Sequence, residues 1–151
     1  MRDLPWERCR ELLNDAPVAH MAVIAEGEPY VSPISFVLVG DSICIRTGEG
    51  KRVDALRENP RVCIEVSAYD GVPGDWESVI LWGTAQFVED DRSKQEVIFA
   101  FLEKYRDVLG SPLNPDTAFG EPGVVICIPI EDSSGRGAGD YLSVRRRPGR
   151  L

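Results

Sequence analysis

The sequence predicts a single, mainly β domain: a six-stranded antiparallel barrel with peripheral helices. Short apolar or alternating runs recur along the chain at the spacing of β-hairpins, and turn residues separate them. The helical patterns between these runs do not follow the regular strand–helix alternation of a parallel sheet. With 151 residues, of which 43% are hydrophobic, the chain is long enough to bury a core.

Each predicted strand is bounded by residues that favour turns. Glu26-Gly27-Glu28 follows the first strand, and Gly40-Asp41 is typical of a two-residue hairpin turn. Gly83 indicates a bend or bulge inside a long strand. The six predicted strands cover residues 19–25, 30–39, 42–47, 61–67, 76–89 and 123–131.

Three helices are predicted around the strands. The first begins near Pro5 and ends near Asp15, because apolar side chains recur there at helical spacing. The second covers residues 51–59 and stops at Pro60. The third covers residues 91–109, where the amphipathic pattern is clear. Two loops rich in Gly or Pro are predicted at residues 68–75 and 111–122.

Charge and hydropathy exclude several classes of protein. The formal net charge of −8 argues against a nucleic-acid-binding domain. No apolar run approaches the roughly 18 residues that span a bilayer, and the first residues form no apolar secretion segment. We therefore expect a cytoplasmic protein that binds neither nucleic acid nor membrane. The arginines at residues 145–147 indicate a solvated basic tail; contact with RNA, a phosphate or an acidic partner is the alternative.

The four cysteines are widely spaced and form no Cys-x-x-Cys pair of the kind that holds zinc. Three of them lie in apolar, β-like runs. We therefore expect small buried thiols in a reducing compartment, and no metal site. The cysteines are Cys9, Cys44, Cys63 and Cys127.

One segment carries the features of an anion site. Arg46 and Thr47 end a strand, two glycines follow, and a helix then begins with Lys51 and Arg52. Cations in the first turn of a helix are unfavourable beside the positive end of its dipole unless an anion lies between them. The segment therefore predicts an anion site; a solvated Gly-rich turn with incidental charges is the alternative.

The order and spacing of six segments resemble the pyridoxamine 5′-phosphate oxidase-like FMN-binding split-barrel superfamily. They are Tyr30-Val31-Ser32-Pro33-Ile34-Ser35-Phe36, Ile45-Arg46-Thr47, Gly50-Lys51, Glu58-Asn59-Pro60-Arg61-Val62, the strand from Trp76 to Ala85, and Ser133-Ser134-Gly135-Arg136. The resemblance covers about residues 10–137. It implies a six-stranded antiparallel split β-barrel with peripheral helices, which we assign to residues 1–137. From the charge pattern we expect residues 138–151 to form a basic C-terminal tail.

The same resemblance implies where FMN would bind. It places the phosphate on Arg46, Thr47, Lys51 and Arg52. It places the isoalloxazine ring against Ser32, Pro33, Ile34 and Ser35, largely through their backbone groups, with Ser78 approaching from a later strand. It also implies a homodimer with FMN between two barrels.

The chain departs from a true pyridoxamine phosphate oxidase, because it lacks the Arg-x-His substrate grip near the C-terminus. The pattern is closer to the nitroimidazole-resistance-like and general flavin-reductase branches. The resemblance therefore implies an FMN-dependent oxidoreductase of unknown small-molecule substrate. A deazaflavin-dependent reductase and a non-catalytic flavin-binding or sensor module are the alternatives, and some relatives bind haem.

The remaining aromatic residues leave two interpretations open. His20, the only histidine, is expected to pack within a strand; a ligand or proton donor is the alternative. Each tryptophan either stacks on a flavin or packs in the core or an interface, and packing is the expectation. The tryptophans are Trp6, Trp76 and Trp82.

Overall fold

The computed structural model describes residues 1–69, 74–106 and 123–139. Within these residues, nine antiparallel strands form one sheet that curls into a split barrel. The strands are β1 (Arg2–Asp3), β2 (Ala19–Ala25), β3 (Glu28–Ile34), β4 (Val37–Val39), β5 (Ser42–Thr47), β6 (Arg61–Tyr69), β7 (Trp76–Thr84), β8 (Gln86–Val88) and β9 (Val124–Ala138). The helices are α1 (Trp6–Asp15), α2 (Lys51–Glu58) and α3 (Asp91–Tyr105).

The predicted antiparallel split barrel is confirmed, with strands in the order β3-β2-β6-β7-β9-β5-β4. Strands β1 and β8 add to β9 outside this path. No helix among the described ranges is both long and apolar enough to cross a membrane.

The structure has nine strands rather than six because two predicted strands are each broken in two and because β1 was not predicted. The predicted strand 30–39 breaks at Ser35 and Phe36, because β3 pairs with β2 whereas β4 pairs with β5. The predicted strand 76–89 breaks at Ala85, whose N–H donates to the backbone oxygen of Pro60 at 2.7 Å instead of extending the ladder.

Other strand and helix boundaries also differ from the predicted ones. Strand β9 continues to Ala138 rather than ending near residue 131, because its second half pairs with β7. Strand β6 extends through Tyr69 into the predicted loop 68–75. Helix α3 is described to Tyr105; the predicted end of that helix and the loop 111–122 lie outside the described residues, as do the arginines at 145–147.

The interior consists of two apolar clusters on either side of β5. The main cluster fills the barrel with alternate residues of β2, β6 and β7, such as Met21, Ile64 and Val79. The second cluster packs α3 against β4, β5 and β9 through Phe101 and Tyr105. The two faces of β5 thus belong to different clusters.

The expectation of four separate thiols is wrong for two of the cysteines. Cys44 and Cys127 face each other across the β5–β9 ladder with their Cα atoms 4.1 Å apart, and they form a disulfide. The pairing joins strands 83 residues apart, so sequence spacing alone did not reveal it. Cys9 and Cys63 are free thiols. The cysteines therefore do not indicate that the protein resides in a reducing compartment.

A buried ion-pair network fixes the N-terminal segment. The Glu77 side chain on β7 is fully buried, and it accepts hydrogen bonds from Arg2 at 2.9 Å and from Arg8 at 2.8 Å. Arg8, itself buried, also donates to the exposed Glu11 at 2.6 Å. One carboxylate thus links both β1 and α1 to β7.

The end of α3 is held by a half-buried lysine. Lys104 Nζ donates to the backbone oxygens of Leu13 at 3.2 Å and Phe36 at 3.0 Å, and it lies 3.6 Å from the centre of the Phe36 ring. Burial lowers the pKa of Lys104 to about 8, while nearby Asp15 opposes the shift.

We predict that Glu77→Gln destabilises the fold by about 3–5 kcal/mol, because it leaves two arginines without their buried carboxylate. The matched control is Glu11→Gln, which removes an exposed partner of the same Arg8. This control is expected to cost less than about 1 kcal/mol. Urea unfolding of both variants measures the difference, and equal losses would contradict the assigned role of Glu77.

We predict that Lys104 makes stability depend on alkaline pH. Between about pH 8 and 10.5 the unfolded chain holds the Lys104 proton while the folded chain has lost it, so the free energy of unfolding rises with pH. This contribution is fully present above 10.5 and is lost as the pH falls through about 8. Urea unfolding gives the free energy of unfolding of the wild type and of Lys104→Met at each pH, and the two values are subtracted. A difference that does not change across this pH range would refute the lowered pKa of Lys104.

Candidate functional site

The candidate site lies where β5 ends and α2 begins. Thr47 is the last residue of β5, Gly48 and Gly50 lie in the turn, and Lys51 opens the helix. No side-chain hydrogen bond caps the N-terminus of α2, so the amide groups of its first turn are available to a ligand. The positive end of the helix dipole lies at the same point. These features are the ones predicted for an anion site.

Arg52 joins this helix start to β3 and β5. Its Nε and Nη2 donate to the Ser32 hydroxyl at 3.1 and 2.7 Å, and its Nη1 donates to the Thr47 hydroxyl at 3.2 Å. Nη2 also donates to the backbone oxygen of Pro33 at 3.2 Å. We refer to Ser32, Pro33, Thr47 and Arg52 as the Arg52 cluster. Four of the predicted site residues are thus brought together by one guanidinium group.

Lys51 lies beside the Arg52 cluster. Its ammonium group is 4.9 Å from the centre of the Tyr30 ring, and Tyr30 shares a face of β3 with Ser32 because the two are two residues apart. The contacts described for Lys51 and Arg52 are with neutral groups, so these contacts do not neutralise their charges. Tyr30 was not predicted as a site residue, although its alternation with Ser32 was visible in the sequence.

Arg46 is directed away from the Arg52 cluster. Neighbouring residues of a strand point to opposite faces, so Arg46 shares the face of Cys44 rather than that of Thr47. Burial on that face lowers the pKa of the Arg46 guanidinium. Strand alternation therefore separates Arg46 from the other predicted phosphate-binding residues.

The second half of the predicted ring-lining segment is held by α3. Ile34 is buried in the main core, and Ser35 is exposed at the break between β3 and β4. The Ser35 side chain is hydrogen-bonded to Tyr105, whose hydroxyl group also contacts the backbone of Phe36. Tyr105 was missed as a site residue, because in the sequence it is only one of the apolar positions of an amphipathic helix.

Ser78 lies away from the Arg52 cluster on the same chain. It is half-buried on β7, opposite Ser67 of β6 and Arg136 of β9. In the sheet order, β7 is three strands from β3, which carries Ser32, and two strands from β5, which carries Thr47; these separations correspond to about 14 Å and about 10 Å along the sheet. Ser78 is therefore separated from the Arg52 cluster, as Arg46 is.

His20 is exposed on the outer face of β2, so the expectation of a packed strand histidine is wrong. Its neighbours Ala19 and Met21 take the buried positions of that strand. His20 Nδ1 lies 3.3 Å from a carboxylate oxygen of Glu65 on β6. Among the residues that the structure describes, no group of three or more His, Cys, Asp or Glu side chains is arranged to hold a metal ion.

The outer face of the sheet exposes apolar side chains. On β2 and β3, Ile24 is 39% exposed and Val31 is 65% exposed. A groove of about 230 Å³ crosses this face, and Cys63 and the half-buried Trp82 are among its lining residues. Trp76 is also half-buried on β7, while Trp6 lies elsewhere, with its ring 6.0 Å from the guanidinium carbon of Arg10.

A cavity of about 380 Å³ opens beside the turn between β5 and α2. Gly48, Glu49, Phe87 and Lys94 are among its lining residues. Arg57, which also lines it, donates to both carboxylate oxygens of Glu49 at 2.7 and 2.8 Å and lies 5.5 Å from the centre of the Phe87 ring. The Arg57 guanidinium holds the pKa of the Glu49 carboxyl below its ordinary value.

A family model described as pyridoxamine 5′-phosphate oxidase matches residues 5–137 of this chain. Among curated proteins, the uncharacterized protein RA0666 of Rhizobium meliloti (strain 1021) is 24% identical over 86 residues. That match covers 57% of this chain and 56% of the relative, so the chain matches only about half the length of that protein.

Several solved structures share the fold. An FAD-binding protein from Mesorhizobium loti is 26% identical with a TM-score of 0.72, and the match covers 92% of this chain and 97% of the other. A suspected 5-nitroimidazole antibiotic resistance protein from Bacteroides thetaiotaomicron is 21% identical with a TM-score of 0.76, covering 91% and 88%. An FAD and heme binding protein from Mycobacterium smegmatis is 24% identical with a TM-score of 0.76, covering 91% and 73%.

Proposed function

This chain belongs to the pyridoxamine 5′-phosphate oxidase family, and from that premise we propose that it binds FMN and acts as an FMN-dependent oxidoreductase on a small molecule. A flavin is the cofactor class named for the similar proteins from Mesorhizobium loti and Mycobacterium smegmatis. The choice of FMN and of a redox reaction is our inference from the site.

The Arg52 cluster and Lys51 carry this proposal. A phosphate monoester is a dianion, and it binds where cations and free amide groups converge. Lys51, Arg52 and the N-terminus of α2 supply both, and Thr47 adds a hydroxyl group. The residues present therefore fit the phosphate end of FMN.

The protein's own groups would bind and orient the cofactor. Lys51 and the first turn of α2 would hold the phosphate, while Arg52 fixes Ser32 and Pro33 at the start of the ring-lining segment. The backbone of residues 32–35 would then set the orientation of the ring. Bound FMN supplies the redox chemistry, so no side chain needs to act as a nucleophile.

FAD is a second candidate cofactor, and one observation favours it. The 380 Å³ cavity borders Gly48 and Glu49, next to the proposed phosphate site, and the Phe87 ring and Lys94 are among its walls. An aromatic surface and a cation suit an adenine nucleotide. Competition between FMN and FAD for the purified protein decides between the two; a deazaflavin is tested in the same assay.

We propose that the protein is a homodimer that brings two barrels together on their outer faces. The exposed Ile24 and Val31 and the groove beside Trp82 form an apolar surface of the kind that subunits bury. In such a dimer, Ser78 of the second copy is the candidate to approach the flavin, because Ser78 of the same chain lies on a strand three positions from β3 in the sheet order.

We predict that Lys51→Ala weakens FMN binding at least tenfold, because a charge-assisted contact with phosphate contributes about 1.5–3 kcal/mol. The control is Arg92→Ala, which removes a cation that is 90% exposed at the start of α3. Fluorescence titration with FMN gives the affinities, and circular dichroism checks the fold. An unchanged affinity for Lys51→Ala would exclude this residue from the site.

We predict a dimer at micromolar concentration in light scattering with FMN bound. Val31→Glu places a charge in the proposed interface and is expected to yield monomers. Phe99→Glu is the control, because Phe99 on α3 is 64% exposed, almost the same as Val31 at 65%. A monomeric wild type, or equal effects of the two substitutions, would refute the proposed interface.

We predict negligible conversion of pyridoxamine 5′-phosphate to the aldehyde by the FMN-loaded protein. That reaction needs a second phosphate grip beside the flavin, and the proposed anion site is assigned to the cofactor. Reduction of small electron acceptors is expected instead. Robust pyridoxal phosphate formation that is abolished by truncation after Gly139 would identify the arginines at 145–147 as a substrate clamp and overturn this prediction.

A further inference from the structure

Residues Ser35 and Phe36 cross from one part of the sheet to another without ladder partners. The β2–β3 register ends at Ile34, and the β4–β5 register begins at Val37. The backbone polar groups of Phe36 are buried there together with its ring, which is fully buried. Buried backbone groups need partners from elsewhere in the fold.

Tyr105 supplies these partners. Its hydroxyl oxygen accepts a hydrogen bond from the Phe36 N–H at 3.0 Å, and it lies 3.0 Å from the Phe36 backbone oxygen and 2.9 Å from that of Pro17. The Ser35 side chain is a further hydrogen-bonding partner. Burial raises the pKa of the Tyr105 hydroxyl, which keeps it protonated and able to donate to a carbonyl.

The neighbouring Lys104 reinforces the same point of the chain. Its ammonium group donates to the Phe36 backbone oxygen and packs on the Phe36 ring. Two consecutive residues at the end of α3 therefore hold the end of the 32–36 segment, while Arg52 holds its beginning at Ser32 and Pro33.

We propose that Tyr105 is a positioning residue for the cofactor: its hydroxyl group fixes Ser35 and Phe36 so that residues 32–35 present their backbone to the flavin ring. The inference rests on the proposed function, because it assumes that a flavin lies against this segment. In this arrangement Arg52 sets the phosphate end of the segment and Tyr105 sets the ring end.

The test compares Tyr105→Phe with Val97→Ala. Val97 is a buried residue of the same helix and the same apolar cluster, and it serves as a control for weakened packing of α3. Three quantities are measured: the melting temperature, the affinity for FMN well below melting, and the hydrogen exchange of a peptide that covers residues 31–37.

We expect Tyr105→Phe to raise the dissociation constant for FMN at least fivefold, to shift the visible absorption maximum of the bound flavin, and to speed exchange in residues 31–37. Val97→Ala is expected to lower the melting temperature by about as much as Tyr105→Phe does, but to bind FMN with an affinity within twofold of wild type. An affinity of Tyr105→Phe within twofold of wild type, or an equal loss in Val97→Ala, overturns the proposal.

Two further outcomes remain decisive. If the wild type binds no flavin, the proposed function fails, and hydrogen exchange in residues 31–37 alone tests Tyr105. Exchange rates of Tyr105→Phe equal to those of Val97→Ala then overturn its positioning role.

If Tyr105→Phe does not fold, Lys104→Met tests the same anchor. An increase of at least threefold in its dissociation constant for FMN supports the proposal, and an unchanged value refutes it.

Discussion

The architecture depends on the hydrogen-bond ladder of β9. This strand pairs with β5 through its first half and with β7 through its second half, and β1 and β8 pair with it as well. The register with β7 shifts at Trp82 and Gly83, where a side chain at Gly83 would overlap the backbone oxygen of Pro129. One strand thus belongs to both parts of the barrel, and the absence of a side chain at Gly83 allows the close approach.

Local sequence pattern predicted the strands and helices well wherever short-range forces decide them. The bounds of β2 and β5 match the predicted ranges, because alternation and turn residues coincide there. The break at residues 35–36 was missed, since the chain changes its partner strand there from β2 to β5. The break at residue 85 was missed, since the ladder with β6 ends there while the pairing with β9 continues in β8. Partner exchange and the disulfide between Cys44 and Cys127 depend on residues that are distant in sequence.

The candidate site also has one part that local sequence pattern predicted and another part that only the fold reveals. Glycines and cations in one short segment predicted the anion site, and Arg52 does join Ser32, Pro33 and Thr47. Pattern alone did not reveal that Arg46 and Thr47 point to opposite faces of β5, or that Ser78 lies three strands from Ser32. It also did not reveal that Tyr105 supports Phe36. These facts depend on how the sheet curls and where α3 docks, so they became visible only in the folded chain.

The disulfide determines what happens to the molecule when its backbone is cleaved. Cys44 lies just before the Arg52 cluster's Thr47, and Cys127 lies in the strand that joins both parts of the barrel. A single backbone cleavage anywhere between these two cysteines leaves two fragments that stay linked through sulfur. The nicked molecule therefore gains only the mass of one water molecule, and it migrates as two pieces only after a reductant has opened the bond.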